Sequence, residues 1–95
     1  MTSQERAVLR GLAMKLQPTT QIGKNGINEA LLQQINEQLD AHELIKISVL
    51  QNADFGAKDI INDLAQKCKA EPVQAIGSKI TLYKKSSRKD FVHLI

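Results

Sequence analysis

The sequence predicts an α/β fold: a single compact domain in which three helices pack on a four-stranded mixed sheet, in the order helix, strand, helix, strand, helix, strand, strand. Three observations carry this prediction. Stretches whose apolar residues recur every three or four positions take turns with short stretches of β-type patterning, so helices feed strands along the chain. Gly77-Ser78 separates the last two short stretches by the two residues of a tight hairpin. The 95 residues can bury one core without disulfides or metals, and cannot supply two independent ones. Right-handed crossovers set the first three strands largely parallel, with the closing hairpin antiparallel.

Thr2-Ser3-Gln4-Glu5 has the form of a capping box, with Thr2 as N-cap and Glu5 reaching back to it. The helix it opens carries Val8, Leu12 and Leu16, with Leu9 and Ala13, as its apolar face through Leu16. Arg6 and Arg10 stack one turn apart on another side as a paired charge. Pro18 ends the helix, and Thr19-Thr20-Gln21-Ile22 reads as a short strand whose polarity suits a sheet edge. Asn28 caps a second helix with Leu31, Ile35 and Leu39 as its stripe, flanked by Leu32; His42 sits near its cation-favouring C-terminal end. Leu44 to Leu50 is the clearest strand, with Ile45, Ile47 and Val49 toward a core and Lys46 and Ser48 toward water. Asn52 or Asp54 caps a third helix, from about Asp54 to Cys68, that turns Ile60, Ile61, Leu64 and Cys68 inward. Pro72 to Ile76 and Lys79 to Lys84 make the hairpin, with Ile80 and Leu82 alternating against Thr81 and Tyr83. Residues 1–85 are read as the domain. Residues 86–95 are read as a basic tail, in which Ser86-Ser87-Arg88-Lys89 links to the apolar tip Phe91 to Ile95.

The chain is organised around Gly23-Lys24-Asn25-Gly26, which joins the first strand to the second helix. Two glycines around a Lys-Asn pair let the backbone take positive φ and lie flush against a ligand. The following helix brings unpaired N–H groups and a positive dipole end to the same place, so the corner suits an anion. Lys24 adds a mobile charge, and Asn25 tolerates a left-handed turn or donates hydrogen bonds. Glu29 in the first helical turn opposes an anion unless it points away. By itself a G-x-x-G string is a common turn, so its surroundings decide.

Net charge is +3, with 42% apolar and 24% charged residues, ordinary for a globular chain. The charge is patterned. Residues 1–26 carry Arg6, Arg10, Lys15 and Lys24 against Glu5 alone, and residues 79–95 carry Lys79, Lys84, Lys85, Arg88 and Lys89 against Asp90. Residues 27–45 hold Glu29, Glu37, Asp40 and Glu43 with no Lys or Arg. Bringing the two basic ends together makes a face fit for a polyanion, although the same charges also serve solubility. No apolar run reaches membrane length and no signal-peptide core opens the chain, so a cytoplasmic location without membrane contact is expected. Cys68 is the only cysteine and falls at helical spacing from Ile61, Leu64 and Ala65, where a buried inert thiol is expected. Neither it nor His42 has neighbours at ligand spacing, so no metal and no cofactor is expected.

Together these blocks resemble a known family, the CRM domain of the YhbY type, over roughly Glu5 to Lys84. The resemblance rests on Leu9-Arg10-Gly11-Leu12-Ala13, Ile22-Gly23-Lys24-Asn25-Gly26-Ile27, His42-Glu43-Leu44-Ile45-Lys46-Ile47, and Val73-Gln74-Ala75-Ile76-Gly77 with Leu82-Tyr83. It implies a fold like the C-terminal domain of translation initiation factor three and RNA binding at Gly23, Lys24, Asn25 and Gly26, with Arg10 and Lys46 nearby; Arg6 joins them as the partner of Arg10. It further implies a ribosomal RNA precursor as ligand and a role in ribosome assembly on the pre-50S ribosomal particle, and a monomer is expected.

Phe55, Tyr83 and Phe91 are the only aromatics, too few for a base-stacking platform, so recognition of RNA shape and backbone is expected. Tyr83 is read as a rim residue that can also meet a base. The loop is neither G-x-x-x-x-G-K-[ST] nor G-x-G-x-x-G, and no nucleophile pattern accompanies it, so an enzyme is not expected. The alternative reading is a protein-binding adaptor on the assembling ribosome that uses an open sheet face with Lys46, Ser48, Thr81 and Tyr83.

Overall fold

A computed structural model describes residues 1–90 and 92–95; Phe91, the start of the apolar tip, lies outside the described residues. The elements are α1 (Ser3–Ala13), β1 (Thr20–Ile22), α2 (Glu29–His42), β2 (Leu44–Val49), α3 (Ala57–Cys68), β3 (Glu71–Ile76) and β4 (Lys79–Tyr83), in the predicted order. The sheet order is β1-β2-β4-β3. β1 runs parallel to β2, with Thr20 opposite Ile47 and Ile22 opposite Val49. β4 runs antiparallel to both β2 and β3, so the first three strands point one way and the last returns between two of them. β1 is an edge, as its polarity predicts. β3 is the other edge, where Pro72 removes no hydrogen bond the interior needs, and a register shift falls between Pro72 and Gln74.

One sheet face carries the main core. Ile22, Ile45, Ile47, Val49, Ile80 and Leu82 meet Ile35 and Leu39 of α2 and Ile60, Ile61, Leu64 and Cys68 of α3. Burying each large aliphatic side chain contributes about 1.5–3 kcal/mol. Cys68 is a free thiol in this core, and burial pushes its pKa up, which leaves it unreactive.

α1 covers part of the opposite face, and here the structure corrects the sequence reading. Its inward residues are Leu9 and Ala13, which pack with Leu44, Val73 and Tyr83, while Val8 and Leu12 are 50% and 40% exposed. The helix stops at Ala13, with Met14 as C-cap, short of Leu16, which still packs against this cluster from the connecting segment. The sheet face proposed as open is therefore only partly so: Thr81, Tyr83 and Ser48 are all buried, and Lys46, which is half-buried, lines the hollow that α1 leaves uncovered. Tyr83 cannot present its ring to a base. The capping box forms as predicted, the Glu5 amide donating to Thr2 Oγ1 at 3.1 Å and the Thr2 amide to Glu5 Oε1 at 2.9 Å. α3 starts later than predicted: Gly56, not Asn52 or Asp54, is the N-cap, and its amide donates to Asp59 Oδ2 at 2.9 Å.

Candidate functional site

β1 and β2 run side by side and release the chain at the same end of the sheet. Ile22 is pinned there, its carbonyl accepting from the Leu50 amide at 2.8 Å, and Gly23-Lys24-Asn25-Gly26 turns outward from it. The Gly26 amide donates to the Gly23 carbonyl at 3.0 Å, which closes the turn. Gly26 has φ +67°, the left-handed conformation that its missing Cβ permits. Lys24 and Asn25 are exposed at the tip. Among the described residues their amides have no intramolecular acceptor, and the Lys24 ammonium has no ion pair.

The turn forms one wall of a cleft of about 580 Å³. Gln21 borders it from β1 and Asn52 from the turn after β2, and the first turns of α2 close it through Asn28, Ala30, Leu31 and Gln34. Asn28 is the N-cap as predicted, its Oδ1 accepting from the Leu31 amide at 2.9 Å. No carboxylate lines the cleft, so Glu29 does not oppose an anion from within it. Amide donors, side-chain amides and one free ammonium around a concave wall suit a phosphate group, bound from several directions without metal.

The other predicted residues divide. Lys46 lies outside the loop cleft, in a neighbouring hollow lined by Met14, Gln74, Ile76, Lys79 and Thr81. Arg6 and Arg10 border neither space. Helical spacing puts them on the flank of α1 that continues to Met14 at the C-cap, whose side chain overhangs that hollow. The loop stands at the end of the two parallel strands and Lys46 in the middle of β2, opposite Thr81, and the arginines approach the Lys46 hollow along α1. Sequence reasoning passed over Gln21, Gln34 and Asn52 because polar amides carry no periodicity or charge signal.

Glu43 was also passed over, and it organises the opposite end of the sheet. It ends α2 with φ +64° and is fully buried. Its carboxylate accepts from the Ser86 amide at 2.6 Å, from the Leu94 amide at 2.9 Å and pairs with His93 Nδ1. Burial alone would push its pKa up, but these hydrogen bonds win and hold it below the ordinary value. Asp40, one turn earlier, accepts from the Ser87 amide at 2.9 Å and the Ser87 hydroxyl at 2.7 Å, which lower its pKa. Ser86, Ser87, His93 and Leu94 are thereby tied to the end of α2.

Three helices on one mixed sheet, with a glycine-bracketed corner open at the ends of the parallel strands, define a small α/β domain. The chain belongs to the CRS1 / YhbY (CRM) domain family, whose model matches residues 1–84. It is 39% identical over 94 residues to the Probable RNA-binding protein YqeI of Bacillus subtilis, covering 99% of this chain and 98% of that one. It is 39% identical over 87 residues to an RNA-binding protein of Haemophilus influenzae, covering 90% and 87% of the two chains. The solution structure of the hypothetical protein SAV1595 from Staphylococcus aureus has the same fold, with a TM-score of 0.78 at 40% identity over 95% of this chain and 94% of that one. No helix among the described residues is long and apolar enough to cross a membrane.

Proposed function

We propose that this chain is an RNA-binding protein that grips the sugar–phosphate backbone with Gly23, Lys24, Asn25 and Gly26. Lys46, Arg6 and Arg10 supply further positive charge along the same side. The observation that carries the reading is the state of the loop: an exposed turn whose Lys24 and Asn25 amides have no acceptor among the described residues, beside a cleft with no carboxylate among its described lining. The relatives in Bacillus subtilis and Haemophilus influenzae carry RNA-binding names, which supports RNA as the polyanion. The finer reading is a binder, not a catalyst, acting as a monomer in the cytoplasm on precursor large-subunit ribosomal RNA during assembly of the pre-50S particle. Residues 1–85 would do the binding, with 86–95 as an appended basic tail.

The test is Lys24→Ala, titrated against a labelled fragment of large-subunit ribosomal RNA over a salt series. Losing one phosphate contact should flatten the log–log salt slope by about 0.7–0.9 and weaken binding about tenfold, with the melting temperature unchanged. Unchanged slope and affinity would remove the loop from the RNA interface. Crosslinking in cells with sequencing of the bound RNA then separates ribosomal precursors from transfer and messenger RNA.

A further inference from the structure

The sheet beside the loop carries a lysine with no anion of its own. Gln21, Ser48, Lys79 and Ile76 stand in one row across all four strands, Gln21 opposite Ser48, Ser48 opposite Lys79 and Lys79 opposite Ile76. Their neighbours Ile22, Ile47, Val49 and Ile80 point into the main core, so strand alternation turns this row to the other face. Near the loop, that face lies beyond the end of α1 at Ala13. Lys79 Nζ donates to Ser48 Oγ at 3.0 Å and to Ser78 Oγ at 3.4 Å, and among the described residues no carboxylate pairs with it. Ser48 is itself 8% exposed, so its hydroxyl is a fixed seat for the ammonium.

A half-buried ammonium held by neutral hydroxyls, with no carboxylate beside it, has geometry already set. Lys46 is two residues from Ser48 on the same face, and it lines with Lys79 a hollow of about 290 Å³ that contains no Asp or Glu. On the other side of the row, Gln21 borders the cleft of the G-x-x-G loop. Adjacent strands lie about 4.8 Å apart, so Lys79 stands about 10 Å from the β1 backbone that leads into Lys24. Lys46 lines the same hollow as Lys79, its diagonal neighbour across β2 and β4, and Lys24 stands on the loop two strands away. Their spacing fits successive phosphates of a polymer.

We propose that Lys79, seated by Ser48, forms a second phosphodiester subsite that leads a single RNA strand from the loop, past the start of β4, to Lys46 in the middle of β2. This rests on the RNA reading of the loop and adds a direction to it. Ser48 is a positioning residue, since it acts through the lysine.

The experiment uses the full chain and the same labelled ribosomal RNA fragment over a salt series. Lys79→Met should weaken binding about fivefold and flatten the salt slope by about 0.7–0.9; combined with Lys24→Ala, it should flatten the slope by about twice as much. Lys79→Arg, which keeps the charge, should restore the slope. Ser48→Ala should weaken binding about twofold with the slope unchanged, because the charge stays but is no longer held. If Lys79→Met leaves affinity and slope intact while Lys24→Ala changes both, the subsite is wrong and the loop reading stands. If neither variant changes anything, both fall. Should Lys79→Met lower the melting temperature, the slope difference between Lys79→Arg and Lys79→Gln decides in its place: equal slopes overturn the subsite.

Discussion

The two ends of the sheet use similar residues for opposite purposes. At the end where β2 begins, Glu43 has every polar group occupied. Its amide donates to the Leu39 carbonyl at 2.7 Å, its carbonyl accepts from the Lys84 amide at 2.9 Å, and its carboxylate is saturated by the tail. At the end where β1 and β2 finish, the amides of Lys24 and Asn25 and the ammonium of Lys24 have no partner among the described residues. Both corners contain a residue at positive φ, Glu43 at one and Gly26 at the other. The difference lies in where the strain and the polar groups go. A charged group whose hydrogen bonds are all internal contributes to stability and offers a ligand nothing; unclaimed donors contribute little to folding and remain available for binding.

The strongest way to break this contrast is to remove the carboxylate. Glu43→Ala leaves the Ser86 and Leu94 amides and His93 facing a cavity, and it should destabilise the fold by about 3 kcal/mol, measured by urea denaturation. RNA affinity extrapolated to the folded protein, and its salt slope, should not change. A slope change would show that the tail end also touches RNA. The same contact carries a pH signature. Because the folded Glu43 pKa is depressed, its contribution is fully present above the unfolded carboxylate value of about 4.3 and is lost as pH falls through the lower folded value. The acid arm of a melting-temperature profile should therefore be shallower in Glu43→Gln than in the parent chain.

The legibility of the sequence follows the same division. Local devices were readable: the Thr2–Glu5 capping box, the Asn28 cap and the Gly77 turn, with φ +58° at Gly77, each involve residues within three positions of one another. Helix periodicity showed which residues of α2 and α3 face the core. It misassigned α1, because Val8 and Leu9 are both apolar neighbours and only the shape of the sheet beneath selects Leu9 and Ala13. The α3 start was misplaced because Asn52 and Asp54 have cap chemistry, whereas Gly56 caps through Asp59 reaching back. The order β1-β2-β4-β3 has no local signature. Glu43 was hidden for the clearest reason: its partners lie 43 to 51 positions away, in a segment that reads as a solvated linker. For the candidate site, the glycines and Lys24 could be named from the string alone, but the side-chain amides around them and the seat of Lys79 needed the register of the strands.

The two glycines of the loop sharpen the contrast at a finer scale. Gly26 holds φ +67°, so Gly26→Ala puts a Cβ into the left-handed region and should cost about 1 kcal/mol in urea denaturation, even though the nearest atom it meets, Phe55 Cε2, is at 3.8 Å. Gly23 has no such constraint. A Cβ there would come within 3.3 Å of Asn52 Oδ1 and 3.6 Å of Leu50 Cδ1, and Asn52 is exposed and free to shift by a few tenths of an ångström. Gly23→Ala should therefore change stability by less than about 0.5 kcal/mol. Its effect belongs to the cleft, because the displaced Asn52 amide is part of the wall. RNA binding should weaken about twofold with the salt slope unchanged, since no charge is lost. If Gly23→Ala instead destabilises the protein as much as Gly26→Ala, the loop is packed as firmly as the Glu43 corner, and the division between a saturated end and an open end does not hold.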